Sequence, residues 1–223
     1  MRTVAGVTPR RWSAEEVQRM EELGILPRGS VELVDGELVV DGRVWRFSSR
    51  DYHRLGEAGI VAENERVELI HGEIVCMSPI GSPHASRVKR LNRFFGQWLR
   101  DRVVLSVQDP LALADGVEPE PDFMLLAPRE DLYEDAHPSP SDVLLLVEVA
   151  DSSLSYDEGE KAELYASHGV AEYWLVDLVR LAVHVHTSPS PAGYRSVVTR
   201  RREDAWSPEA LPEMEVRGAD LLG

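Results

Sequence analysis

One cysteine, Cys76, occurs in 223 residues, so no internal disulfide framework can form and the chain suits a reducing compartment. Its neighbours Ile74, Val75 and Met77 are apolar, which predicts a buried structural thiol rather than a reactive one. No apolar stretch approaches the roughly 18 residues of a membrane span. The segment Met1 to Arg11 lacks the apolar centre of a secretory signal. The expected location is therefore cytoplasmic, with no membrane partner. A Gly-rich phosphate loop, a cysteine cluster for zinc and a His-Glu-x-x-His motif are all missing, which removes three common chemistries. Ser152-Ser153 lacks the surroundings of a nucleophile elbow. Positive charge is also short: 24 basic residues face 39 acidic ones, for a net charge of −15. That balance counts against a generic nucleic-acid binder, because phosphate contacts need local positive charge. Two local basic sets remain, Arg87/Lys89/Arg90/Arg93 and Arg200/Arg201/Arg202, each read first as a solvated helix face or loop. Lysine is the scarcest of all, with only Lys89 and Lys161 among the basic residues.

That scarcity draws attention to Lys161 and to the two acids that precede it. Asp122 follows Pro121, and Glu148 follows the apolar run Val143 to Val147. Two carboxylates near the ends of neighbouring strands can share a hard divalent cation, which takes oxygen ligands and keeps several waters. A lysine is a compact charge that can steady a water or a developing anion, unlike the wider arginine. The combination suits hydrolysis of a phosphodiester. Against it, Asp122 could simply cap a strand, and Lys161 could pair with Asp157 one helical turn away. Glu148 is harder to place otherwise, since a carboxylate among apolar residues needs a partner.

The N-terminal third carries an internal repeat. Trp12-Ser13, Gly24-Ile25 and Val31-Glu32-Leu33-Val34-Asp35-Gly36-Glu37 recur as Phe47-Ser48, Gly59-Ile60 and Val67-Glu68-Leu69-Ile70-His71-Gly72-Glu73. Each copy reads as a helix capped by Ser13 or Ser48, ended by Gly24 or Gly59, then a hairpin turning at Asp35-Gly36 or His71-Gly72. Further on, the pattern predicts an amphipathic helix from Ser82 to about Asp101, with Val88, Leu91, Phe95, Trp98 and Leu99 inward. Strands are expected over 103–107, 122–126, 143–149, 172–177 and 182–186. Ser155 with Glu158 fits a capping box opening a helix that ends at Gly169. Tyr156 and Tyr165 read as packing groups and His168 as a helix-end residue. The order is that of an α/β layered sheet with a helix on each face.

The spaced set Val67 to Glu73, Met77-Ser78-Pro79, His84, Pro121-Asp122, Glu148-Val149, Ser152, Asp157, Lys161, Tyr165, Gly169-Val170 and Glu172-Tyr173-Trp174 resembles the Uma-type putative restriction endonuclease family. That family is similar to a branch of the PD-(D/E)XK nucleases. The resemblance implies a restriction-endonuclease-like core, a mixed sheet flanked by helices, and a Mg²⁺-dependent (or Mn²⁺-dependent) nuclease site. It implies Asp122, Glu148 and the carbonyl of Val149 as metal ligands, with Lys161 catalytic. The superfamily pattern puts its lysine two residues after the second acid, where this chain has Ala150, so Lys161 would act from the following helix. A third acid is expected from elsewhere than the helix at Ser82, and Glu68 is the candidate, although Glu32 holds the equivalent place in the first copy. His84 is expected to orient phosphate or water, or to cap.

The expected organisation is an N-terminal helix-hairpin module over 1–46 and a nuclease-like domain over 47–223. The expected activity is metal-dependent hydrolysis of phosphodiester bonds, with DNA as partner and a homodimer or higher oligomer. The alternative is a non-catalytic nucleic-acid-binding or assembly module that retains a nuclease fold.

Overall fold

The computed structural model describes residues 7–99 and 102–223. The chain forms two compact units, Met1–Pro79 with Ala114–Pro119, and Ile80–Leu113 with Glu120–Gly223. The repeat boundary expected after Arg46 falls inside the first unit, whose packing runs on through the second copy.

In the first unit β1 (Val7–Pro9) precedes α1 (Ala14–Glu22) and the strands β2 (Val31–Val34), β3 (Glu37–Val40) and β4 (Arg43–Val44). Then follow α2 (Ser49–Glu57), β5 (Val67–Ile70) and β6 (Glu73–Met77). Both helices start as the sequence predicts. The Glu16 amide donates to Ser13 Oγ at 3.2 Å, and the Ser13 amide donates back to the Glu16 carboxylate at 2.7 Å. Ser48 and Asp51 repeat that capping box. Both hairpins turn through two residues in the left-handed region, Asp35 and Gly36, and His71 and Gly72. That is the turn whose twist matches paired strands. A Cβ on Gly36 would lie 2.9 Å from Arg11 Cβ, and one on Gly72 equally close to Arg46, so the two turns share their steric requirement. The sheets are β2-β3-β4 and β1-β6-β5. One apolar core serves both copies: Trp12, Met20, Leu26 and Leu38 pack in the same cluster as Phe47, Leu55, Val67 and Leu69. Cys76, expected to be buried, is only partly covered, and burial pushes its thiol pKa up.

The second unit opens with α3 (Ser82–Leu99), β7 (Val104–Ser106), β8 (Phe123–Leu126) and β9 (Val143–Ala150). Arg100 and Asp101, the expected end of α3, lie outside the described residues. After α4 (Leu154–Tyr156), a π-helical turn (Asp157–Lys161) and α5 (Ala162–Ser167) come β10 (Glu172–Asp177), β11 (Ala182–Ser190) and β12 (Gly193–Arg200). The small pair β13 (Ala205–Trp206) and β14 (Val216–Arg217) leads to α6 (Gly218–Leu222). The sheet order is β12-β11-β10-β9-β8-β7, and only β9 and β10 run parallel. A parallel neighbour needs a crossover, which α4 and α5 provide. Successive side chains of β9 face opposite ways. Leu145, Val147 and Val149 meet Val88, Leu91, Phe95 and Leu99 of α3. Glu148 faces the other layer, where Tyr165 of α5 lies 5.3 Å from the ring of Tyr173.

Three expectations need correction. Trp98, expected inward, is 57% exposed, because it falls away from the buried stripe of α3. Ser155 is not the cap: the helix starts two residues earlier, after Ser153, and Ser153 Oγ donates to Asp157 at 2.5 Å. The strand expected over 182–186 runs on to Ser190 and pairs with the eight-residue β12. Among the described residues no helix is long and apolar enough to cross a membrane.

His186 on β11 packs between Tyr173 and Tyr194, with ring centroids at 5.1 and 5.6 Å. Burial, and secondarily the charge of His184, lower its pKa from 6.5 to about 4. The fold thus favours the neutral ring. Between those two values the unfolded chain takes up a proton that the folded chain refuses, so stability falls as pH drops through that window. Wild type should lose about 1–2 kcal/mol between pH 7 and 4.5 from this group, after allowance for solvent screening. His186→Phe should lessen that loss in urea melts at the two pH values; an equal loss in both proteins would refute it.

Candidate active site

Asp122 stands immediately before β8, held there by Pro121 and by the ladder between β8 and β9. Glu148 lies in β9, and Lys161 ends the π-helical turn of the crossover. Their exposures are 6%, 3% and 2%, so three charged groups are taken almost wholly out of water. Such burial is tolerated only when each charge is paired and hydrogen-bonded.

The pairing is dense. Lys161 Nζ donates to Glu148 Oε1 at 2.8 Å, and the Tyr165 hydroxyl donates to the same oxygen at 2.6 Å. The other oxygen, Oε2, accepts the backbone N–H of Asp122 at 3.2 Å. Asp122 Oδ2 accepts the Val149 N–H at 2.9 Å and meets His84 Nε2 at 2.9 Å. Gln108, in a left-handed conformation, reaches Oδ1 at 3.3 Å. Burial alone would raise the Asp122 carboxyl. The His84 hydrogen bond and charge, the Val149 amide and the Lys161 ammonium outweigh it and hold the group below the usual carboxylate range.

The structure therefore brings together four expected site residues, Asp122, Glu148, Lys161 and His84, with Val149 as an amide donor to Asp122. Glu68 lies in the first unit, buried in the middle of β5, whereas its repeat counterpart Glu32 on β2 is exposed. The equivalence of the two glutamates in sequence does not extend to their surroundings. Two participants were missed. Tyr165, read as packing, is fully buried but spends its hydroxyl on Glu148; its place one turn after Lys161 on the same helix side was the available signal. Gln108 carried no signal, since a loop residue reaches Asp122 only through the tertiary fold.

The donor set bears on metal binding. Two carboxylates face one ammonium, which leaves a negative charge that a protonated His84 or a cation would neutralise. Among the described residues no three His, Cys, Asp or Glu side chains form a cage. A hard divalent ion bound by one or two carboxylates, with waters and substrate oxygens completing its shell, is compatible with that arrangement. The residues present fit such an ion.

Tyr165→Phe keeps the ring and removes one donor from a buried carboxylate. Hydrogen bonds to charged groups contribute about 1.5–3 kcal/mol, and the variant should lose a comparable stability in urea melts. An unchanged midpoint would show that the hydroxyl does not hold Glu148.

No curated protein matches the chain. Its fold is shared by a solved structure, that of a putative nuclease belonging to DUF820 from Anabaena variabilis. The two have a TM-score of 0.61 and 14% identity, over 79% of this chain and 97% of that one. The expected α/β, restriction-endonuclease-like architecture thus holds. A family model described as "Putative restriction endonuclease" matches residues 49–220, which include Asp122, Glu148, Lys161 and His84, and the chain belongs to that family, Uma2.

Proposed function

We propose that the chain is a metal-dependent endonuclease that hydrolyses phosphodiester bonds, with DNA as its substrate. The observation that supports this reading best is the buried ion pair of Glu148 and Lys161 beside Asp122, set within a chain of this family. Asp122 and Glu148 offer carboxylate oxygens to Mg²⁺ or Mn²⁺, with the Val149 carbonyl as a further oxygen donor. The ion, when bound, polarises the phosphoryl oxygens and lowers the pKa of water. Lys161 Nζ donates to Glu148 Oε1. In this reading the ammonium also holds the attacking water or steadies charge on the phosphate. Tyr165 keeps Glu148 oriented, and His84 orients Asp122 and the phosphate. Ala150 stands where the superfamily lysine is usual, and Lys161 replaces it from the crossover.

A second reading, a binding or assembly module with these acids as relics, is favoured by one observation. Both carboxylates are already satisfied by hydrogen bonds within the protein. Calorimetry with Mn²⁺ and a plasmid-nicking assay separate the two. Wild type should bind Mn²⁺ and nick plasmid in its presence but not with chelator. Asp122→Asn should weaken Mn²⁺ binding at least tenfold while keeping the fold. Lys161→Ala should cut nicking by two orders of magnitude with Mn²⁺ binding largely kept. An Asp122→Asn protein with wild-type Mn²⁺ affinity would sink the metal assignment.

We also propose a homodimer, because cutting both strands of a duplex takes two sites and two-fold pairing is the commonest assembly. Light scattering at micromolar concentration should give about twice the 25.0 kDa chain mass. A mass of one chain removes the dimer.

A further inference from the structure

We infer that the outward face of α3 holds the phosphate backbone of a nucleic acid at a distance from the scissile bond. The inference rests on the nuclease reading above and adds where the polymer is gripped.

The buried stripe of α3 is Val88, Leu91, Phe95 and Leu99. At 3.6 residues per turn the opposite face carries Lys89, Arg93 and Gln97 in one row, with Arg90 beside it. All four are exposed. With Phe94 and with Ala219 and Asp220 from α6 they line a groove of about 440 Å³. Three cations there meet one carboxylate, and Asp220 already accepts the Arg217 N–H at 3.1 Å as a helix cap. Among the described residues Lys89, Arg90 and Arg93 make no ion pair. The exposed Arg11, Arg46, Arg102 and Arg217 each pair with a glutamate, whereas among the described residues Arg43, Arg50 and Arg195 make no ion pair, like the α3 set. Arg87 donates to the Leu221 carbonyl and ties α3 to α6, so the groove has a fixed wall. Burial first, and the neighbouring charge of Arg90 second, lower the Arg87 pKa.

The chemistry selects a phosphate polymer. Guanidinium groups bind phosphate oxygens in a fork and lysine adds a point charge. Lys89 and Arg93 are about 6 Å apart along the helix axis. That spacing lets the two side chains reach neighbouring phosphates of one strand. His84, on the same helix, faces the network at Asp122, away from this row. The contact should therefore strengthen binding and leave the chemical step alone.

The test compares full-length wild type with the Lys89→Ala/Arg90→Ala/Arg93→Ala protein. All three side chains are exposed, and a thermal melt checks that the fold is kept. Anisotropy of a labelled DNA duplex in chelator is followed over about 50–200 mM salt. The triple variant should bind at least tenfold more weakly, with a log-log salt slope shallower by about two to three. Hydrolysis of bis(p-nitrophenyl) phosphate, which has a single phosphate, should be unchanged. Wild-type affinity and slope in the variant would overturn the inference while leaving the nuclease reading intact. So would a variant that changes only the oligomeric mass, since the face would then join copies of the chain. A wild-type protein that binds no duplex also overturns it. Binding through this face with no hydrolysis of plasmid or diester sinks the nuclease reading alone.

Discussion

The pairing of Glu148 with Lys161 is the constraint around which the second unit is arranged. A carboxylate in the middle of an apolar strand costs several kcal/mol if left alone. Here one oxygen takes the Lys161 ammonium and the Tyr165 hydroxyl, and the other takes the Asp122 amide. Those bonds come from three places in the chain. They tie the start of β8 and the helical crossover to β9 and fix their register. The π-helical turn belongs to the same requirement. It ends at Lys161, and such widened turns are found mostly at functional positions, where they re-aim side chains. In the proposed reading stability and chemistry draw on the same atoms, so the candidate site cannot be loosened without loosening the core.

Much of this was legible in the sequence because local chemistry dictated it. Ser13 and Ser48 had to cap, and the Asp35-Gly36 and His71-Gly72 pairs had to turn, whatever the tertiary surroundings. The continuous apolar run before Glu148 had to be a covered strand, and an acid inside it had to find a partner. The partner itself was half legible. Lys161 stood out by the rarity of lysine, whereas Tyr165 was hidden by its ring, since an aromatic residue in an amphipathic helix satisfies the packing pattern without its hydroxyl. Ser155 misled because Ser-x-x-Glu describes a cap only where the chain turns into the helix. The turn came earlier, at Ser153. Trp98 misled because one apolar residue at the edge of a stripe is indistinguishable by spacing from one inside it. Gln108 was out of reach, being a loop residue whose contact depends on the whole fold.

The repeat shows where local sequence stops deciding. Its two copies share caps, turns, the close approach of an arginine to the turn glycine and even an Arg–Glu pair, Arg11 with Glu37 and Arg46 with Glu73. Yet β5 is wholly buried and β2 is almost wholly exposed, so that Leu69 and Ile70 are core residues while Leu33 and Val34 face solvent. Propensity and turn chemistry set the helix-hairpin shape twice. Tertiary packing then gave one copy an interior and left the other an exterior. Glu68 inherits from this a burial that Glu32 lacks, and a buried carboxylate calls for an explanation that an exposed one does not.

The same separation of local from global applies to charge. A net charge of −15 argues against nucleic acid only if the acids are felt where the polymer lies. At physiological salt the screening length is about 8 Å, so acids beyond that range hardly weaken the field at an exposed lysine or arginine. Many acids here are also committed to backbone amides. Asp177 accepts from Val179 and Arg180, and Asp204, Asp142 and Asp220 each close a turn or cap a helix. Such an acid keeps its charge, but it is fixed at the turn it closes. What a phosphate meets at α3 is the local balance of three cations and one occupied carboxylate. The acidic excess elsewhere acts over the same short range. It would repel phosphate from the rest of the surface, so that a face of the right sign is preferred by contrast as well as by attraction.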